Sequence, residues 1–233
     1  DNAMLHENDA AAVLRDICMG SGIRATEPKE GKIDLIADTD GVLLVDTERL
    51  NAINALGEMM IATRHGGFAV KKGDKLAGTR VIPLVIKKDK MEQAKKVAGQ
   101  EPLLRVAAFK KKRAGVVTTG SEVYHGRIAD TFTPVIAEKL AEYGCTIEKH
   151  VVLSDDAAQI TAAIKGMLDD GLDIVICTGG MSVDPDDRTP LAIRNSGARI
   201  VSYGAPVLPG AMFLLAYTDD MRPVMGLPGC VMY

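Results

Sequence analysis

Residues 177–190 read CTGGMSVDPDDRTP: two glycines end an apolar run, and a serine and three acidic residues follow among prolines. A second glycine turn, TTGSEV at 118–123, leaves another apolar run. Glycine lets backbone N–H groups turn toward an anion and approach it closely, so the chemistry these turns suggest is phosphate binding. A single such turn is also an ordinary way to leave a strand; two of them at successive strand ends carry more weight. Carboxylates beside a phosphate would repel it unless a cation intervened. Mg2+ suits that role, since it takes one or two carboxylates together with phosphate oxygens and water. Asp187, Asp130 and Glu122 are the candidate carboxylates, Asp187 and Glu122 as metal ligands and Asp187 and Asp130 as catalytic groups. The plainer alternative is that Asp186 or Asp187 caps a helix beginning near Arg188. The sequence contains no recognisable catalytic triad. His125 stands alone in a loop and Cys177 sits inside an apolar run, so neither is assigned as a nucleophile.

The elements that must position these turns have a regular rhythm after residue 114. AGVVTTG reads as a buried strand, and FTPVIAEKLAEYG as a helix with Val135, Ile136, Leu140 and Tyr143 on one face and Gly144 as its stop. TIEKHVV is the next strand. SDDAAQITAAIKGMLDDG is a helix capped by Ser154, with Ile160, Ile164, Met167 and Leu168 turned inward. LDIVICT is apolar nearly throughout, as a strand covered on both faces should be. RTPLAIRNSG reads as a helix and RIVSYG as another strand. Strands alternating with amphipathic helices predict a parallel α/β sheet, whose ligands bind beyond the carboxyl ends of the strands. Both glycine turns therefore belong on one rim.

The earlier part of the chain is mixed. A short helix is expected around Ala10–Cys18. KIDLIAD and GVLLVD read as strands joined through an Asp40–Gly41 turn. TERLNAINALGEMM reads as a helix capped by Thr47. GGFAVKKGDKLAGTRVIPLVI has the turn-rich grammar of a β-subdomain, with KKGDK at a hairpin tip and Pro83 unsuited to an interior strand. The basic runs KKDK (87–90) and KKKR (110–113) read as solvated linkers. The second run marks the expected division into domains 1–112 and 113–233.

Composition sets bounds. The 233 residues are 47% hydrophobic, which fits a packed globular chain. The formal charge of −3 provides no basic field, so no nucleic-acid partner is expected. No apolar stretch approaches the ~20 residues that span a bilayer, so no membrane partner is expected either. Cys18, Cys145, Cys177 and Cys230 show neither a CxxC pair nor zinc spacing, and three lie in apolar surroundings. That usage suits a reducing compartment, and a cytoplasmic location is expected. The chain stops at GLPGCVMY, directly after a strand-like segment and a tight turn, which reads as a domain cut short at its C-terminal end.

TTGSEVYHGRIADT, TGGMSVDPDD, the VLPG turn and GLPGC together resemble the molybdopterin-binding domain of molybdenum-cofactor biosynthesis, and most of all the molybdopterin molybdotransferase family. That family shows TGxEx, GxIxDxN, TGGxSxGxxD, PG and GLPGNP in the same order. The resemblance covers residues 114–233 and implies an α/β, three-layer parallel-sheet domain, here preceded by a smaller mixed, β-rich region. It implies that molybdopterin or its adenylylated form is the ligand, that molybdate is the second substrate and Mg2+ the cofactor, and that homodimerisation is a common assembly. Carried over by position, Gly120, Ser121, Glu122, Gly179, Gly180, Ser182, Pro209, Gly210, Gly226, Pro228 and Gly229 would contact the ligand, and Asp130 and Asp187 hold the family's acidic positions. Phe132, Asp184, Ala211, Met212 and Cys230 depart from the pattern, so binding is implied more strongly than molybdate insertion. Two further readings stay open. TGGMSVDPDDRT also resembles the competence/damage-inducible family of nicotinamide-nucleotide amidases and pyrophosphatases. A carrier or sensor without turnover is the other.

Overall fold

The computed structural model describes residues 3–182 and 187–232, which form two compact units, 1–109 and 110–233.

The first unit opens with β1 (Met4–His6), α1 (Glu7–Cys18), β2 (Ile23–Ala25), β3 (Lys32–Ala37), β4 (Gly41–Val45) and α2 (Thr47–Asn54). It continues with β5 (Met59–Thr63), β6 (Ala69–Val70), β7 (Lys75–Val81), β8 (Val85–Lys87), α3 (Lys88–Ala98) and β9 (Leu104–Ala108). Its strands form small sheets ordered β2-β3-β7-β5, β6-β4-β9 and β1-β8. They close over one core in which Leu14, Leu35, Leu43, Ile53, Met91 and Leu104 are fully or almost fully buried.

Several expectations for this unit change. KIDLIAD and GVLLVD are strands but not a hairpin: β3 pairs with β2 and β7, while β4 pairs with β6 and β9. KKGDK is likewise a turn between strands of different sheets rather than a hairpin tip. The α2 cap is Asp46, which accepts from the Arg49 N–H, one residue before Thr47. That helix ends at Asn54, and Met59 and Met60 belong to β5. The KKDK run is no linker. Lys88 begins α3, whose buried stripe of Met91, Ala94 and Ala98 is too small to show through its charges.

The second unit contains β10 (Arg113–Thr119), α4 (Ser121–Tyr124), α5 (Phe132–Ala141), β11 (Thr146–Leu153), α6 (Ala157–Asp169) and β12 (Ile174–Thr178). After these come α7 (Thr189–Asn195), β13 (Arg199–Tyr203), β14 (Leu214–Tyr217), β15 (Pro223–Leu227) and a 3-10 turn at Gly229–Met232. One six-stranded sheet runs β11-β10-β12-β15-β14-β13. Its first four strands are parallel, whereas β14 pairs antiparallel with both β15 and β13. RIVSYG is thus a strand, as expected, but at a mixed edge.

Side-chain alternation along the strands makes the three layers. Val117, Val175 and Cys177 pack with α6 and α7 on one face, and Val116 and Ile176 pack with Ile136 of α5 on the other. The inward residues of α6 are those expected, but its cap is Asp156, which accepts from the Ala158 and Gln159 N–H groups, not Ser154. The α5 helix stops at Ala141, so Tyr143 falls beyond it and is 44% exposed instead of packing.

This burial pattern makes a chemical prediction. Desolvation pushes the Cys18 and Cys177 thiols up to about 12, Cys145 is buried, and Cys230 is exposed. Because the thiolate is the reactive species, a disulfide reagent should titrate one thiol quickly in the native chain and all four after denaturation.

Candidate functional site

The register brings the predicted residues to one edge of the sheet. Cys177 lies opposite Val117 on one side and Gly226 on the other; Gly226 lies opposite Leu214, and Leu214 opposite Tyr203. Four chain segments therefore leave the sheet at the same rim. These are Gly120–Glu122 after β10, Gly179–Ser182 after β12, residues 204–213 between β13 and β14, and Pro228–Gly229 after β15. The Pro209–Gly210 turn falls in the third of these, where the Leu208–Pro209 peptide is cis.

At the centre, Gly179 and Gly180 have φ of 81° and 54°, values that L side chains rarely adopt. A Cβ on Gly179 would run into the Thr119 carbonyl oxygen. Glycine is required here because the turn of β12 lies against the end of β10. The fit is locked by two buried hydroxyls: Thr189 Oγ1 donates to the Gly179 carbonyl at 2.9 Å and lies 3.2 Å from Thr119 Oγ1. Ser182 Oγ donates to Asp187 Oδ2 at 2.8 Å. Asp187 thus faces back across its own loop. It is not the N-cap of α7; that position is held by Arg188, whose side chain makes no capping bond to the helix. Asp184 and Asp186 lie outside the described residues.

Ser121 is held to the next loop, its backbone N–H and hydroxyl both donating to Asp155 at 3.1 and 3.2 Å. Glu122 is exposed in the single turn of α4. Gly226 differs from the other glycines, because a Cβ there would meet Met181 at 2.6 Å. Its place is under the sheet's covering layer, not on the open rim. Gly229 sits against the Phe132 ring.

Asp130 is the most heavily engaged of the candidates. Its carboxylate accepts from the N–H groups of Phe132 and Thr133, at 2.9 and 3.0 Å, and so starts α5. Thr133 Oγ1 and Thr118 Oγ1 also donate to it, at 2.5 and 3.0 Å, and His150 Nε2 lies 3.3 Å away. Burial alone would raise this carboxyl, but the donors from Thr133, Thr118 and Phe132 outweigh it and hold Asp130 below the usual carboxylate range. Next to Thr118 in register stands Thr178, fully buried, whose hydroxyl has no partner among the described residues. An unpaired buried hydroxyl costs about 1–3 kcal/mol.

Sequence reasoning did not single out Thr118, Thr133, His150, Asp155 or Thr178. His150 reads as one more polar residue in TIEKHVV, and only the register with Val116 brings it to Asp130. Asp155 was visible only as one of two adjacent aspartates. Among the described residues, no group of three or more His, Cys, Asp and Glu side chains gathers to hold a metal.

Residues 115–233 match the family described as a probable molybdopterin binding domain, half of the chain. The chain belongs to that family. The rim is therefore one edge of a molybdopterin-binding domain on an α/β three-layer fold. Curated relatives match shorter stretches. A CinA-like protein of Mycobacterium marinum is 40% identical over 77 residues, 33% of this chain and 18% of that protein. A CinA-like protein of Mycobacterium tuberculosis is 38% identical over 90 residues, 38% of this chain and 21% of that protein. The matched segments span about a fifth of these relatives' length. Among solved structures, the molybdopterin biosynthesis enzyme MoaB of Thermus thermophilus aligns over 51% of this chain and 81% of its own. It is 25% identical, with a TM-score of 0.46. CinA of Thermoplasma acidophilum aligns over 51% of this chain and 89% of its own, at 21% identity and a TM-score of 0.46. Among the described residues, no helix is long and apolar enough to cross a membrane.

Proposed function

We propose that this chain binds molybdopterin, or its adenylylated form, at the rim, as a step of molybdenum-cofactor biosynthesis. The observation that carries the reading is the convergence of the turns at Gly120, Gly179–Gly180, Pro209–Gly210 and Pro228–Gly229 at one sheet edge, within the region that matches the family. The ligand's phosphate would lie against the glycine turns, whose backbone can approach an anion closely. Asp187 would share a Mg2+ ion with that phosphate, and the ion would supply charge neutralisation. Ser182 orients the Asp187 carboxylate, and the Thr119–Thr189 pair holds Gly179 in place. Insertion of molybdate would rest on positioning the dithiolene end of the ligand, with Asp130 and Asp187 as the acidic groups. The test is an anaerobic calorimetric titration of molybdopterin and adenylylated molybdopterin, with and without Mg2+. Saturable binding that strengthens with Mg2+ and loses that gain in Asp187→Ala is expected; a folded chain that binds neither form overturns the reading.

A second reading has its own support in the CinA-like relatives and in the sequence positions Asp186, Asp187 and Thr189, which resemble the nucleotide-hydrolase family's acidic turn. Under that reading the same rim would hold a nicotinamide nucleotide. Mg2+-dependent release of nicotinamide-nucleotide products from a dinucleotide would favour it over the pterin. Retention of molybdopterin without turnover, by contrast, would favour a carrier or sensor.

A further inference from the structure

The edge strand β13 carries an irregularity that redirects a side chain. Its register with β14 passes from Ile200 opposite Ala216 to Ser202 opposite Leu215 and Tyr203 opposite Leu214, leaving Val201 as an extra residue. In a regular strand Ile200 and Ser202 would share a face and Tyr203 would take the other. The bulge resets that alternation. Residues directly opposite each other point to the same face, and Leu214 and Ala216 both belong to the core beneath α6 and α7. Ile200 packs against that core, and pairing opposite Leu214 puts Tyr203 on the same side three residues later. Bulges are a recurrent way of aiming a side chain at a site.

Tyr203 is also at the right level. It is the last residue of β13, in the row that runs through Leu214 and Gly226 to Cys177, just before the Gly179 turn. Three strand spacings separate it from β12, roughly 14 Å along the rim. Its ring is 44% exposed, which leaves an aromatic surface open beside the loop that begins at Gly204.

We propose that Tyr203 is a ligand-positioning residue of the rim site, its ring forming the wall against which the pterin end of molybdopterin lies while the phosphate end occupies the Gly179–Gly180 turn. This rests on the pterin reading above and adds to it a direction: the ligand extends along the rim from β12 toward β13. The planar pyrimidine ring of the pterin gains from an offset stack on a tyrosine, and a rigid wall also fixes its orientation.

The test is anaerobic calorimetric titration of molybdopterin. The variants are Tyr203→Ala and Tyr203→Phe, with Met221→Ala at the opposite end of the sheet as control. Circular dichroism would verify that each is folded. The expected result is saturable binding in the wild type, about tenfold weaker binding in Tyr203→Ala, and near-complete rescue in Tyr203→Phe. Equal affinity in Tyr203→Ala and the wild type would overturn the role of Tyr203 and leave the pterin site standing. A wild-type chain that binds no pterin would overturn both.

Discussion

Gly179→Ala is expected to cost the second unit about 3 kcal/mol and to weaken ligand binding at least tenfold. Two effects add. The residue has φ of 81°, which costs an L side chain about 1–2 kcal/mol, and the new methyl would overlap the Thr119 carbonyl oxygen. That oxygen belongs to the last residue of β10, a strand paired on both sides, so it cannot move away cheaply. The turn would have to shift outward, breaking the Thr189 Oγ1 bond to the Gly179 carbonyl. A fall in melting temperature of about 10 °C should be seen by calorimetry. A variant that melts with the wild type would mean that the two turns are not in contact.

Asp130 carries the second large effect, and its test separates structure from ligand contact. Replacing it with Ala removes an acceptor from the start of α5 and from Thr118 and Thr133, all partly buried. Cap loss and the loss of charge-assisted bonds together give about 3 kcal/mol. Asp130→Asn keeps one oxygen for the Phe132 and Thr133 N–H groups and should lose about 1 kcal/mol. The pH dependence follows from the direction of the shift. Asp130 is depressed in the folded chain, so its contribution is complete above the unfolded value of about 3.9 and disappears as pH falls through the lower folded value. Acid unfolding should therefore be less steep below about pH 4 in Asp130→Asn. If instead Asp130→Ala melted with the wild type but lost ligand, the carboxylate would be a ligand contact and not the anchor of α5.

Much of the second unit was legible because its signals are local. The apolar runs at 114–119 and 174–178 and the 3.6-residue spacing in α6 each specify one element, and glycine marks where the strands stop. What was hidden depends on pairing. That β14 enters antiparallel between β15 and β13 is written in no single segment. The orientation of Tyr203 depends on a bulge opposite Ala216, and strict alternation along RIVSYG points it to the wrong face. His150 joins Asp130 only because β11 lies beside β10 in that register. In the first unit the Asp40–Gly41 turn looked like a hairpin because both flanking runs are good strands. Their true partners, β7 and β9, lie more than thirty residues further on. The candidate site was readable as glycine turns and carboxylates, but of the hydroxyls that hold them Thr189 showed only as part of a family motif, and Thr118, Thr119 and Thr133 were not singled out by their sequence.

Amide hydrogen exchange with and without molybdopterin, under anaerobic conditions and read by mass spectrometry, tests the rim most directly. Slowed exchange in peptides covering 119–125, 178–182, 204–213 and 227–230, with residues 1–109 unchanged, is the predicted result. Ligand protection confined to residues 1–109, or spread over the opposite end of the sheet near 218–222, would contradict a molybdopterin site at the carboxyl ends of these strands.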